Sequence, residues 1–251
     1  MSTLEERRER ASAGVRPERP ELDGFGTRVF LQPIAAPSIL GLFGFAAATF
    51  VVAANLAGWY GDHVTTPLVL APFAAVFGGI AQFMAGMWAY RARDAVATAM
   101  HGTWGSFWIA YGILAILLAT HVLTAPTPWY HDSAFGFWFF ALAVVTGSGA
   151  VASLAESLGL FAVLATLAAG SGLLAGGLIY GSEGVVTAAG WVLVASAICA
   201  WYVAMAMMIA YAAGRVVLPL GKYSRDANRP GGRPTRPIEL EWAEPGIRMG
   251  Q

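Results

Sequence analysis

The side chains able to move protons, ligate metals or attack a substrate are scarce along the apolar stretches of this 251-residue sequence. His101, His121 and Glu156 fall near the ends of such stretches, and no His, Asp, Glu or Cys cluster has a metal-ligand spacing. Cys199 is the single cysteine and sits in an apolar run, so it reads as a small core residue with no intrachain disulfide to make. The conspicuous polar group is Gln82, an amide that needs a partner, either across a helix contact or along a pore. His101 reads as a satisfied histidine or as a group with a pore or proton role. This inventory argues against a membrane metalloprotease, a redox carrier with paired haem ligands and a multi-carboxylate pump. It leaves channels and simple carriers whose pores are lined by hydroxyls, amides, backbone and aromatic rings. No catalytic constellation is present, so the reading is a non-enzyme with no cofactor, no metal and no nucleic-acid partner.

The elements that must carry these residues follow from composition. The chain is 57% hydrophobic and 12% charged. Soluble domains carry about 25% charged residues, so half the usual charge is available to dress a globule of this size. A bilayer removes that need, because lipid covers the rest. The mean hydropathy of +0.60 and the 30 glycines point the same way. The fold class is therefore all-α, a polytopic membrane protein. No secretory signal is visible, since the charged N-terminus has no apolar core segment.

A membrane helix needs about 20 mostly apolar residues. Six stretches qualify, at about 38–58, 67–89, 97–123, 134–153, 158–180 and 186–212. Breakers separate them: WYGDHVTTP, YRARDA, TAPTPWYHDS, LAES and YGSEG. Residues 1–34 form a polar tail in which Thr3 and Glu6 are spaced as a capping box, and 222–251 form a Pro-rich tail expected to be disordered. The transport domain is expected at 35–221. With the N-terminus in the cytoplasm, all fifteen Lys and Arg fall in the tails, in YRARDA or from Arg215 onward, and none in the three outer loops. The positive-inside rule then puts both termini in the cytoplasm of a cell membrane. Trp59, Tyr60, Trp129, Tyr130 and Tyr180 form an outer aromatic belt. Gly41 with Gly44, Gly78–Gly79 with Gly86, and the Gly172/Gly176 GxxxG pair are expected to pack helices within the chain, with a subunit interface as the alternative.

Three stretches carry a resemblance. The first is APSILGL at 36–42, followed by FGF. The second is GGIAQFMAGMWAYRARDAVATAMHGTWGSFW at 78–108. The third runs from AGWVLVASAICAWYVAMAMM to GRVVLPLG over 189–221. Together they resemble the acetate uptake transporter family, the succinate–acetate permeases of bacteria and fungi, across about 35–221. The first stretch is similar to that family's Asn-Pro-Ala-Pro-Leu-Gly-Leu signature. Ala36 stands here for its Asn and Ile39 for its second Pro, while Ala89 stands where many members carry a Glu.

The resemblance implies a six-helix protomer in a homo-hexamer, each protomer with its own pore for acetate and similar short carboxylates, sometimes succinate. It implies a constriction of Phe45, Trp104 and Leu167, with Trp104 bulkier than the family's usual Tyr; the candidate substrate contacts are Pro37, Ser38, Leu40, Gly41 and Gln82. A carboxylate meets a large desolvation penalty in an apolar pore. The first helix's N-terminal N–H groups, with Pro37 in the first turn and Ser38 as a cap, offer an anion dock to offset it. Passage of the protonated acid would make transport proton-linked. The departures at Ala36, Ala89 and Trp104 keep other cargoes open: lactate, longer acids, or ammonium by neutral passage. A sensor or assembly protein that transports nothing is the third reading.

Overall fold

The computed structural model describes residues 34–222. Six helices in it are long and apolar enough to cross a membrane: α1 Pro37–Leu56, α2 Thr66–Ala92, α3 Ala95–Ala119, α4 Ser133–Ser153, α5 Leu158–Tyr180 and α6 Glu183–Ala213. No strand occurs among the described residues. The tails expected at 1–34 and 222–251 lie outside the described residues, save Ile34 and Lys222.

Side-chain caps start three of the six helices. Asp94, Asp132 and Ser157 cap α3, α4 and α5, accepting from the N–H groups of Ala97 (2.8 Å), Phe135 (3.0 Å) and Leu160 (3.2 Å). Asp62 braces the entry to α2. Its carboxylate accepts from the N–H of Val64 (2.7 Å) and Thr65 (2.6 Å) and from the Thr65 hydroxyl, which pulls its pKa down to about 2. The first helix differs from expectation. Ala36 occupies its N-cap, Pro37 opens the first turn, and no side chain caps the end, so Ser38 already lies inside the helix.

The middle of α2 is not α-helical. Pro72 lacks an N–H and its ring displaces the carbonyl four residues back, and a π-helical stretch follows over Ala74–Ala81. There α2 presses on both neighbours. A Cβ at Gly44 of α1 would collide with the Phe77 carbonyl, and one at Gly78 would meet Ala48 and the Trp108 ring at 2.5 and 2.7 Å.

The helices contact one another in chain order, and α6 returns to α1; α3 and α4 meet only along a short stretch. The glycine contacts correct one expectation. Gly172 and Gly176 do not pack within the chain, since a Cβ at the first would meet only Ala143 at 4.0 Å and one at the second would meet nothing. Gly170 and Gly177 make the close approaches to α6 instead, against Leu193 and Val186. Large apolar side chains such as Phe73, Phe77, Trp88, Trp138, Phe140 and Ile198 remain exposed on the perimeter. In water such patches would be a liability; around six spans they are the lipid-facing surface of a multi-pass membrane protein.

Candidate functional site

Two cavities enter the bundle from opposite ends. One, about 190 Å³, lies at the end bearing Asp62, Asp132 and Glu183. The other, about 570 Å³, lies at the end bearing Arg91, Arg93, Asp94, Glu156 and Lys222. They are called here the acidic-end and basic-end cavities. Trp104 and Leu167 line both, and Phe45 lines the basic-end cavity.

The three residues implied as a constriction are thus brought together. Phe45, Trp104 and Leu167 are 3%, 3% and 1% exposed, so all three are buried where the cavities approach each other. Phe45 meets the Trp104 ring edge-on at 6.1 Å, and Phe107 backs the same indole at 5.3 Å. The Trp104 N–H donates to the Thr146 hydroxyl at 3.0 Å, where both groups are buried.

The basic-end cavity also takes in Ser38 and Gln82. Gln82 is buried and its Oε1 has no hydrogen-bond partner, which marks an amide facing the cavity with polar capacity to spare. His101 lines the same cavity with Nδ1 unpartnered. Its ring lies directly on the Gly41 backbone, where an added Cβ would meet ring atoms at 2.5 Å. Gly41 therefore supports His101 and does not face solute.

Two further signature positions stand off the cavities. Leu40 is half-exposed on the outer side of α1, because Ser38, Leu42 and Phe45 repeat at four and three residues on the cavity face and Leu40 falls between them. Pro37 lines neither cavity and serves as the first helical residue.

At the mouth of the basic-end cavity Glu156 stands near Asp94 and Lys222. Partial burial, with Asp94 adding like charge and Lys222 opposing, pushes the Glu156 carboxyl up to about 7.

Sequence reasoning missed several polar groups of the acidic-end cavity. Thr49 Oγ1 and Trp108 Nε1 line it, are buried and have no partner. Both can donate to an anionic oxygen. Asn55 is buried there too, but its amide donates to the carbonyls of Tyr60 (2.8 Å) and Asp62 (3.2 Å), so it ties down the following loop. His63 stacks on Trp129 with ring centroids 3.8 Å apart, bridging two loops over this mouth. Among the described residues no group of His, Cys, Asp and Glu could hold a metal ion.

The architecture can now be set beside known proteins. Residues 24–222 match the family model described as the GPR1/FUN34/yaaH family. The chain belongs to this family. The succinate-acetate/proton symporter SatP of Escherichia coli K12 is a relative, 28% identical over 190 residues, which cover 75% of this chain and 96% of that protein. Acetate permease A of Emericella nidulans is 30% identical over 119 residues, 47% of this chain and 39% of its own. The solved structure of the bacterial acetate channel SatP superposes with a TM-score of 0.68 at 26% identity, covering 75% of this chain and all of that one. The first of these proteins is named a symporter and the solved one a channel.

Proposed function

We propose that this chain is a transporter or channel for acetate and related short-chain carboxylates, proton-linked, and not an enzyme. The observation that carries the reading is the pair of cavities meeting at Phe45, Trp104 and Leu167: a solute path interrupted once, by apolar rings. The named activities of the relatives supply the cargo. Unpartnered donors at Thr49 and Trp108 on one side, and the Gln82 amide on the other, suit a carboxylate waiting at either face of the plug.

The chemistry then favours a protonated crossing. An ion stripped of water among apolar rings loses solvation that no buried charge here restores. The neutral acid loses far less. Gln82 and Ser38 receive it on the basic-end side, where it gives its proton to water. Both termini lie in the cytoplasm of a cell membrane, and the protomers assemble as a homo-hexamer with one pathway each. A solute panel on reconstituted vesicles tests the cargo. Acetate, propionate and succinate should compete with labelled acetate, while lactate competes weakly and ammonium not at all. Competition by ammonium but not by propionate would overturn the carboxylate reading.

A further inference from the structure

The Trp104 indole is tied to its surroundings in a way that the neighbouring indole is not. Trp108 also lines the acidic-end cavity, yet its N–H has no partner, whereas the Trp104 N–H donates to Thr146 at 3.0 Å. Thr146 is fully buried and lines neither cavity, so it stands behind the indole, away from the solute path. The bond crosses the short seam where α3 meets α4. That seam is built for the approach. Met100 and Trp104 are one turn apart on α3, and they face Gly149 and Thr146, nearly one turn apart on α4. Met100 lies on the Gly149 backbone, where an added Cβ would meet its Sδ at 2.5 Å, and that contact brings Thr146 within reach of the indole.

We infer that Thr146 is a positioning residue that latches the Trp104 indole across the path and so sets the largest carboxylic acid that can pass. The inference rests on the transport reading above. An indole swings about two side-chain bonds, and an unlatched one can leave the path as a large solute arrives. The latched ring cannot leave without stranding a buried N–H, which is unfavourable in these apolar surroundings. Size selection thus falls to a hydroxyl that never touches solute.

The test compares Thr146→Val, which keeps the shape and removes the acceptor, with Thr146→Ser, which keeps the acceptor. Uptake of labelled butyrate and acetate by reconstituted vesicles gives a ratio insensitive to the amount of folded protein. The Val variant should raise the butyrate-to-acetate ratio on the order of tenfold, as expected for loss of one buried hydrogen bond, and the Ser variant should restore it. In a Trp104→Phe background, which has no N–H to hold, Thr146→Val should change nothing further. A second readout needs no transport. One indole N–H resonance, absent from Trp104→Phe, should exchange with deuterium slowly in the native chain and roughly tenfold faster in Thr146→Val. Fast exchange in the native chain, or an unchanged ratio in Thr146→Val, overturns the latch. Equal slowing of both acids with no rescue by Ser also overturns it, since that is a packing defect. A native chain that moves no acid refutes the carboxylate reading and the size limit with it, whereas a chain that moves acetate but exchanges the resonance fast refutes the latch alone, so the two failures are distinct.

Discussion

Replacing Trp104 by Ala should change the pH dependence of transport before anything else. Two routes compete at the plug. The neutral route is limited by supply: a carboxyl of ordinary pKa, about 4.3, is protonated in roughly one molecule in 500 at pH 7, equivalent to about 3.7 kcal/mol. The ionic route is limited by desolvation, several kcal/mol per ion after relaxation. Phe45, Trp104 and Leu167 are exposed by 3% or less; on the proposed reading the second penalty is then the larger one and the neutral acid carries the flux. Initial uptake at fixed total acetate should then fall nearly tenfold per pH unit above the acid's pKa. Removing the indole joins a cavity of about 190 Å³ to one of about 570 Å³, and water follows the carboxylate through. The ionic penalty drops below that of protonation, and the slope should flatten to roughly threefold per unit or less. Trp104→Phe keeps an aromatic plug and should keep most of the slope. The Ala substitution should lower stability by about 3–5 kcal/mol, so a thermal transition in detergent must confirm folding first. Uptake is read against protein-free vesicles, because neutral acids cross lipid unaided. A folded Trp104→Ala protein with the native slope and size limit would refute the account of the plug.

The remaining predictions concern the mouths and the packing. Glu156 has its carboxyl pushed up to about 7 from 4.5, so it gains a charge at the basic-end mouth as pH rises through neutrality. Because the folded value is the higher one, stability is lost as pH rises from about 4.5 through about 7, and Glu156→Gln should be the more stable protein at pH 8 in pH-resolved melting. Gly190 lies against the α1 backbone, where a Cβ would meet the Ala57 nitrogen at 2.6 Å and the Ala53 oxygen at 2.9 Å; Gly190→Ala should cost about 1–3 kcal/mol, read as a lowered melting temperature. A Cβ at Gly176 would meet nothing within 4 Å among the described residues, so Gly176→Leu should leave protomer melting nearly unchanged but, if the proposed hexamer packs there, reduce its population in native mass spectrometry.

How far the sequence discloses the molecule depends on the kind of force involved. Hydropathy and breakers locate the helices because lipid enforces a continuous apolar run and internal hydrogen bonding. The ends are less legible. The apolar run of the third span continues to Leu123, yet α3 stops at Ala119, where Thr120 turns its hydroxyl back onto the Ile116 carbonyl and His121 takes a left-handed conformation at φ 57°. The π-helical stretch after Pro72 leaves no periodic trace, since the helix is apolar on every side. At the site, the resemblance brought Phe45, Trp104 and Leu167 together, whereas Leu40 belongs to the same motif but lies on the outer side of the helix. Thr146, Thr49 and Asn55 went unnoticed although each is, like Gln82, a polar group in an apolar span. The signal was there, but which polar group faces a cavity, which a neighbour and which a loop is decided by helix rotation about axes that only packing fixes.

The most direct test of the central claim is uptake of labelled acetate by vesicles holding the purified chain, with an inward proton gradient imposed. The account predicts accumulation above protein-free vesicles, competed by unlabelled propionate and abolished when the gradient is dissipated. Folded protein that takes up no more acetate than empty vesicles would contradict it.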